Sequence, residues 1–117
     1  MLKERIREEA RRLYESTVQT RRHLHAHPEL SFKENKTAAY VASRLDAIGI
    51  SYETMANTGL VALLQGKKSP SDKVVALRAD MDALPIQELN DVPYRSAAPG
   101  VMHACGHDGH TASLLGT

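Results

Sequence analysis

The sequence predicts an α/β fold, and three observations predict it. Apolar residues recur at three- and four-residue steps through the first half, the period shifts to two beyond Ile50, and Val74 to Leu77 is an unbroken apolar run. Leu2, Ile6, Ala10, Leu13, Thr17, Val18 and Leu24 form one stripe with arginines and glutamates between them, so a first amphipathic helix is expected from about Leu2 to about His25. Pro28 ends it, because the residue before a proline is pushed out of the helical region. Ser31 followed by Glu34 has the spacing of a capping box and predicts a second helix directly after it. Ala38, Val41, Leu45 and Ile48 are its expected buried stripe, and Gly49 stands where a left-handed terminating residue is wanted. Ile50, Tyr52 and Thr54, then Leu60 to Leu64, read as a hairpin about Asn57-Thr58-Gly59. Gly66 to Asp72 is a loop, and Val74 to Leu77 reads as a strand covered on both faces. Pro85, Pro93, Pro99 and Gly100 break the chain after Asp82 into a long connection of the kind that usually carries function. Thr111 to Leu115 begins a third helix, and its apolar pattern is still running at Leu114-Leu115-Gly116-Thr117.

Composition narrows the classes of function. The chain has 117 residues, a formal charge of +1, 42% hydrophobic and 25% charged residues, values of an ordinary globular chain of about one domain. The near-neutral balance offers no electrostatic footprint for nucleic acid. No window approaches the ~18 apolar residues of a membrane span. Lys3, Arg5, Arg7, Arg11, Arg12 and three glutamates occupy the first twelve positions, where a signal peptide needs an apolar run, so a cytoplasmic location is expected. One cysteine permits no disulfide within the chain.

Three clusters could carry chemistry. Met102 to His110 packs three histidines, the only cysteine and an aspartate into nine residues. Thiolate and imidazole are ligands for zinc and related metals, and in an extended segment Cys105 and His107 would face the same side with Gly106 turning the backbone between them. A buried free cysteine beside capping histidines, or a nucleophilic thiol, are the alternatives. The second cluster is Arg78 to Pro85, at the end of the apolar run. Asp80 and Asp82, two apart, would share one side and either bind metal or orient a ligand histidine, a solvated acidic turn being the bland reading. The third holds His23, His25 and His27. On a helix His23 and His27 share a face while His25 points elsewhere, and imidazoles at a helix end commonly bond free carbonyls, so a structural role is expected. The arginine-rich first helix reads as a solvated face.

RRHLHAHPELSFKE, VVALRADMDALPIQE and APGVMHACGHDGHTASLLG, in this order and spacing, resemble the N-terminal part of the di-metal amidohydrolases that cleave N-acyl amino acids. That family includes hippurate hydrolases, auxin-conjugate hydrolases and N-acetyl-diaminopimelate deacetylases, and the resemblance runs from Arg21 onward. It implies part of a three-layer α/β/α zinc-peptidase-like catalytic domain, truncated in a third helix and lacking the lid or dimerisation domain. It implies Cys105 and His107 as metal ligands and Asp82 as a supporting carboxylate of the catalytic site. Asp80 stands where relatives carry a ligand histidine, while Asp108 and His110 would lie behind the ligands or face substrate. Two divalent ions per intact site are implied, zinc or manganese, with cobalt or nickel also admitted. The general base, a glutamate of a Glu-Glu pair, and the remaining ligands of relatives lie farther along than Thr117.

The expected function is therefore metal-dependent hydrolysis of the amide bond of N-acyl amino acids in an intact parent enzyme, with this chain alone inactive. Its partner is a small-molecule substrate, neither nucleic acid nor membrane, and exposed apolar surface near Val74 to Leu77 and Leu114 to Leu115 would promote self-association. The competing expectations are a non-catalytic α/β module that binds through its first helix, and a redox-sensing thiol at Cys105.

Overall fold

From Leu2 to Ala26 no glycine or proline interrupts the chain, and in the computed structural model, which describes residues 1–68 and 71–117, this stretch is the helix α1 (Leu2–Ala26). His27 leaves the helical region at φ −124° and ψ 57° ahead of Pro28. Most of α1 is exposed, and only its C-terminal part turns Thr20, Leu24 and His25 inward.

The second helix, α2 (Asn35–Ala47), forms where the apolar stripe requires it but does not start on the expected capping box. The Ser31 hydroxyl donates to Asp82 instead, and Glu34 accepts from the Phe32 N–H and from the Thr58 hydroxyl at 2.9 Å. The free N–H groups of the first turn are taken by Glu29, whose carboxylate accepts from Lys36 N at 3.2 Å and Thr37 N at 2.6 Å. A long-range acceptor has thus replaced the local one. At the other end Gly49, at φ 76°, donates to Asp46 O while Ile50 N donates to Leu45 O, the paired bonds of a Schellman termination. Val41 is buried, Ala38 and Leu45 half-buried, and Ile48 exposed.

The hairpin forms from β1 (Tyr52–Met55) and β2 (Gly59–Ala62), antiparallel with Met55 opposite Gly59. Its turn is shifted one residue from expectation: Ala56 and Asn57 take positive φ, and Gly59 sits in the strand, where a side chain would meet the Met55 carbonyl at 2.7 Å.

The buried strand expected over Val74 to Leu77 does not form. These residues lie in irregular chain, with Val74, Val75 and Leu77 80%, 84% and 63% exposed. A strand apolar on both faces needs hydrogen-bonded neighbours and two covering layers. Among the described residues the only sheet is the hairpin, whose two strands pair with each other. Ordered pairing begins just beyond, through single bridges of Leu30 with Ala83 and Leu84 with Met102. Of the loop expected over Gly66 to Asp72, Ser69 and Pro70 lie outside the described residues.

The third helix, α3 (His107–Gly116), begins one turn earlier than expected. It packs along α1 closely enough that a Cβ on Gly116 would stand 2.9 Å from the Thr17 hydroxyl. Leu114 and Leu115 are therefore half-buried, not the exposed patch anticipated. The architecture is mixed α/β, as expected, with three helices and a two-stranded sheet among the described residues.

Among the described residues only Leu24, Val41, Ala83 and Ala112 are buried apolar residues, and the interior is otherwise polar. At its centre the His25 ring on α1 lies between two buried carboxylates, with Nε2 2.9 Å from Glu88 Oε2 and Nδ1 2.8 Å from Asp108 Oδ2. Arg21 adds a bond from its Nε to the same Asp108 oxygen at 2.9 Å. Burial pushes the Glu88 carboxyl up, but hydrogen bonds from His25, Asn90 and the Ser96 N–H outweigh it and bring it from 4.5 down to about 2.

Two outcomes follow in urea unfolding. Glu29→Ala removes the acceptor at the start of α2 and lowers stability by about 1–2 kcal/mol. For Glu88, the folded value lies below the unfolded one, so its contribution is fully present above about pH 4.5 and is lost as pH falls toward about 2. The loss is on the order of 3 kcal/mol. Glu88→Gln should flatten the profile of unfolding free energy in that window, and a slope equal to that of the unsubstituted chain would refute the assignment.

Candidate metal centre

Gly106 takes φ 86°, a left-handed conformation that an L side chain resists, and directly precedes the first helical residue. Because the helix starts here, His107 and His110 are three apart on one face, with ring centroids 5.5 Å from each other. The chain from Asp80 to Ala83 runs beside this turn. It is held there by the Thr111 hydroxyl on the Asp80 carbonyl at 2.8 Å and by Ala83 N on the Glu29 carbonyl at 2.8 Å.

His107 is oriented by Asp82. Its Nδ1–H donates to Asp82 Oδ1 at 2.8 Å and faces the Asp82 carbonyl at 3.0 Å, while Nε2 stands 3.5 Å from Asp80 Oδ2. The hydroxyl of Ser31 holds the Asp82 carboxyl below its ordinary range against the upward push of burial, and His107 adds to the effect. His110 Nδ1–H donates to Asp80 Oδ1 at 2.7 Å and likewise lowers the Asp80 carboxyl. Two imidazoles and an ionised carboxylate thus converge, with one potential ligand atom from each of Asp80, His107 and His110 all within 4.8 Å of one another. A proton on the ring or a metal ion can join His107 Nε2 to the Asp80 carboxylate, and N/O donors of this kind suit zinc and other first-row divalent ions. A carboxylate on the far nitrogen of a ligand histidine is the usual orienting arrangement.

The expected site residues fall into three groups. Asp80, Asp82, His107 and His110 meet. Asp108 points away from them into the buried contact with His25 and Arg21, and does not face solvent. Cys105 is an exposed free thiol outside the group of three, because the chain turns at Gly106 instead of running extended through Cys105 and His107. His110 takes part directly, although its spacing from His107 suggests this only once the helix start is placed at Gly106. His103 is buried with no hydrogen-bond partner on either ring nitrogen among the described residues, and burial lowers its pKa.

The upstream histidines divide as their spacing implies. His27 Nδ1–H donates to the His23 carbonyl at 2.7 Å, and His23 stacks on Tyr40 with centroids 3.9 Å apart. His25 alone turns inward, to partners 63 and 83 residues away. Glu88 carries no signal in its own neighbourhood of sequence, and nothing local pairs it with His25.

Fold and donor set together describe an α/β unit with a cluster of side chains suited to a divalent metal. Residues 76–117 match the family described as Peptidase family M20/M25/M40. The chain is 55% identical over 103 residues to YhaA of Bacillus subtilis (strain 168), which is named as an amidohydrolase, covering 87% of this chain and 26% of that protein. It is 54% identical over 101 residues to an uncharacterized hydrolase of Staphylococcus aureus (strain bovine RF122 / ET3-1), covering 86% of this chain and 26% of the relative. Among solved structures it is similar to the Bacillus subtilis YXEP protein, a dinuclear metal-binding peptidase from the M20 family, with TM-score 0.82 and 41% identity over 90% of this chain and 30% of that one. An aminohydrolase from methicillin-resistant Staphylococcus aureus gives TM-score 0.87 and 40% identity over 98% of this chain and 30% of that one. The chain thus resembles the M20 amidohydrolases in sequence and in fold, and spans about a quarter of the length of the curated relatives it matches.

Gly106→Ala forces a side chain into the left-handed region at the start of α3. It should lower stability by about 1–2 kcal/mol in urea unfolding, and a change below a few tenths would contradict the strain assigned to this turn.

Proposed function

We propose that this chain supplies part of the centre of a metal-dependent amidohydrolase that cleaves the amide bond of N-acyl amino acids, and that it forms the N-terminal part of that enzyme's catalytic domain. The observation that carries the reading is the Asp82–His107 pair, which holds the ring through Nδ1 and turns Nε2 toward Asp80 and His110. In this reading His107 is a metal ligand, Asp82 orients it, and Ser31 keeps Asp82 ionised. Cys105 is the second ligand that the resemblance implies, whereas Asp80 and His110 are those that the geometry favours. These residues would hold a divalent ion, zinc or manganese and one of two in the whole site, which would supply polarisation of the scissile carbonyl and a water of lowered pKa. The chain's own residues hold the ion, keep the carboxylates ionised and set the ligand rings.

The general base, a glutamate in the family pattern, belongs to sequence beyond this stretch, so the chain by itself is inactive. A cytoplasmic location and self-association through Val74 to Leu77 complete the proposal. Among the described residues no helix is long and apolar enough to cross a membrane. One observation favours a second reading, a binding module acting through α1: Leu2 and Ile6 on its apolar stripe are 69% and 59% exposed.

Titration of the chain with Co(II), followed by visible absorption, separates these readings. Stoichiometric binding that falls at least tenfold in His107→Ala supports the metal centre. A near-ultraviolet thiolate band lost in Cys105→Ala adds Cys105 to the ligands, and its absence from the unsubstituted chain leaves Asp80, His107 and His110. No uptake of metal would favour the binding module. Hydrolysis of acetyl- or benzoyl-amino acids by the 117-residue chain, abolished by a chelator, would overturn the claim that the chain alone is inactive.

A further inference from the structure

We propose that His25 is a positioning residue for the metal centre: wedged between Glu88 and Asp108, its imidazole holds the first turn of α3 so that His107 and His110 face Asp80. The proposal rests on the metal-centre reading above. His25 is 3% exposed and cannot touch substrate, yet both ring nitrogens are engaged. Nε2 lies 3.0 and 2.9 Å from the two Glu88 oxygens, and Nδ1 lies 2.8 Å from Asp108 Oδ2.

The partners are acceptors. Glu88 already accepts from the Asn90 amide and the Ser96 N–H, and Asp108 accepts from Arg21 Nε and from the Gly109 N–H. Glu88 calls for a donor at Nε2 and Asp108 for one at Nδ1, where the carboxylate oxygen at 2.8 Å is nearer than the other neighbour, Arg21 Nη2 at 3.3 Å. Arg21 and the two ring nitrogens of His25 together face two carboxylates, Glu88 and Asp108, so each buried oxygen pair has a donor opposite it. Histidine offers two donors on opposite sides of a rigid ring, and no other side chain of its size does so.

Helix geometry connects this contact to the metal centre. At about 100° per residue, Asp108 projects about 100° from His107 and about 160° from His110, whereas the two histidines are about 60° apart. Clamping Asp108 from α1 therefore sets the rotation of the turn, and the opposite side of that turn presents His107 and His110 to Asp80 and Asp82. Arg21 alone cannot do this, because its side chain is partly exposed and bonds Asp108, while its contact with the connection that carries Glu88 is the face of the Tyr94 ring, 5.4 Å from the guanidinium carbon to the centroid.

Two near-isosteric substitutions separate positioning from bulk stabilisation. In His25→Asn the amide nitrogen replaces Nδ1 and keeps the donor to Asp108, and in His25→Gln it replaces Nε2 and keeps the donor to Glu88. Each loses one buried bond, so the unfolding midpoints should fall alike. Co(II) affinity of the 117-residue chain should fall about tenfold or more in His25→Gln and remain close to the unsubstituted value in His25→Asn. Equal changes in the two variants, or none in either, overturn the proposal.

If His25→Gln does not fold, Asp108→Asn breaks the same contact from α3, and unchanged Co(II) affinity in that variant overturns it. If the unsubstituted chain binds no Co(II), the metal-centre reading fails, and positioning is then read without metal. Long-range proton–nitrogen NMR of the His107 ring should show a single Nδ1–H tautomer in the unsubstituted chain and in His25→Asn, averaged in His25→Gln. Identical His107 spectra in all three would refute it.

Discussion

The His25 imidazole between Glu88 and Asp108 is the contact on which the rest of this structure depends. It joins α1, the long proline-broken connection and α3. With four buried apolar residues, the described chain cannot rely on a large hydrophobic core. Its interior is organised by hydrogen-bonded charge. Such an arrangement is costly to leave half made: removing one partner of a buried ion pair exposes the other to a medium that does not solvate it, a penalty of about 3–5 kcal/mol. The arrangement of the helices is therefore specified by directional bonds more than by packing volume.

The same logic continues outward from the centre. Glu29 leaves the C-terminal end of α1 and caps α2, Glu34 reaches from the start of α2 to Thr58 in the hairpin turn, and Ser31 reaches Asp82. Each segment of the first half hands a polar group to a later one. The short stretch from Glu29 to Glu34 thus positions both the second helix and the carboxylate that orients His107. The unusual positive φ of Phe32, 65°, falls within this stretch, where the chain must turn sharply between two such contacts.

Residues 74–77 show the limit of that scheme. They have the composition of an interior strand, yet they stand in solvent because no partner strand is present among the described residues. Similarity to solved structures extends over 90% and 98% of this chain but only 30% of theirs, so those proteins hold much more polypeptide. An edge-to-edge hydrogen bond cannot be made from one side, however strong the strand propensity of the residues.

What the sequence by itself determined was local. The extents of α1 and the body of α2, the Gly49 termination and the hairpin follow from periodicity and turn chemistry acting over a few residues, and the opposed directions of His23 and His25 follow from helical spacing. The likeness to di-metal amidohydrolases was likewise readable from three motifs in order. Tertiary structure decided the rest. It assigned Ser31 to Asp82 instead of the helix cap, gave Glu29 that cap, withheld a strand from Val74 to Leu77, and started α3 at Gly106 so that His110 joins His107. It also found for His25 two carboxylates far along the chain. The physical reason is common to all of these: a polar group takes the best acceptor or donor available in space. Local sequence states which groups need partners, whereas only the folded chain determines which partners arrive.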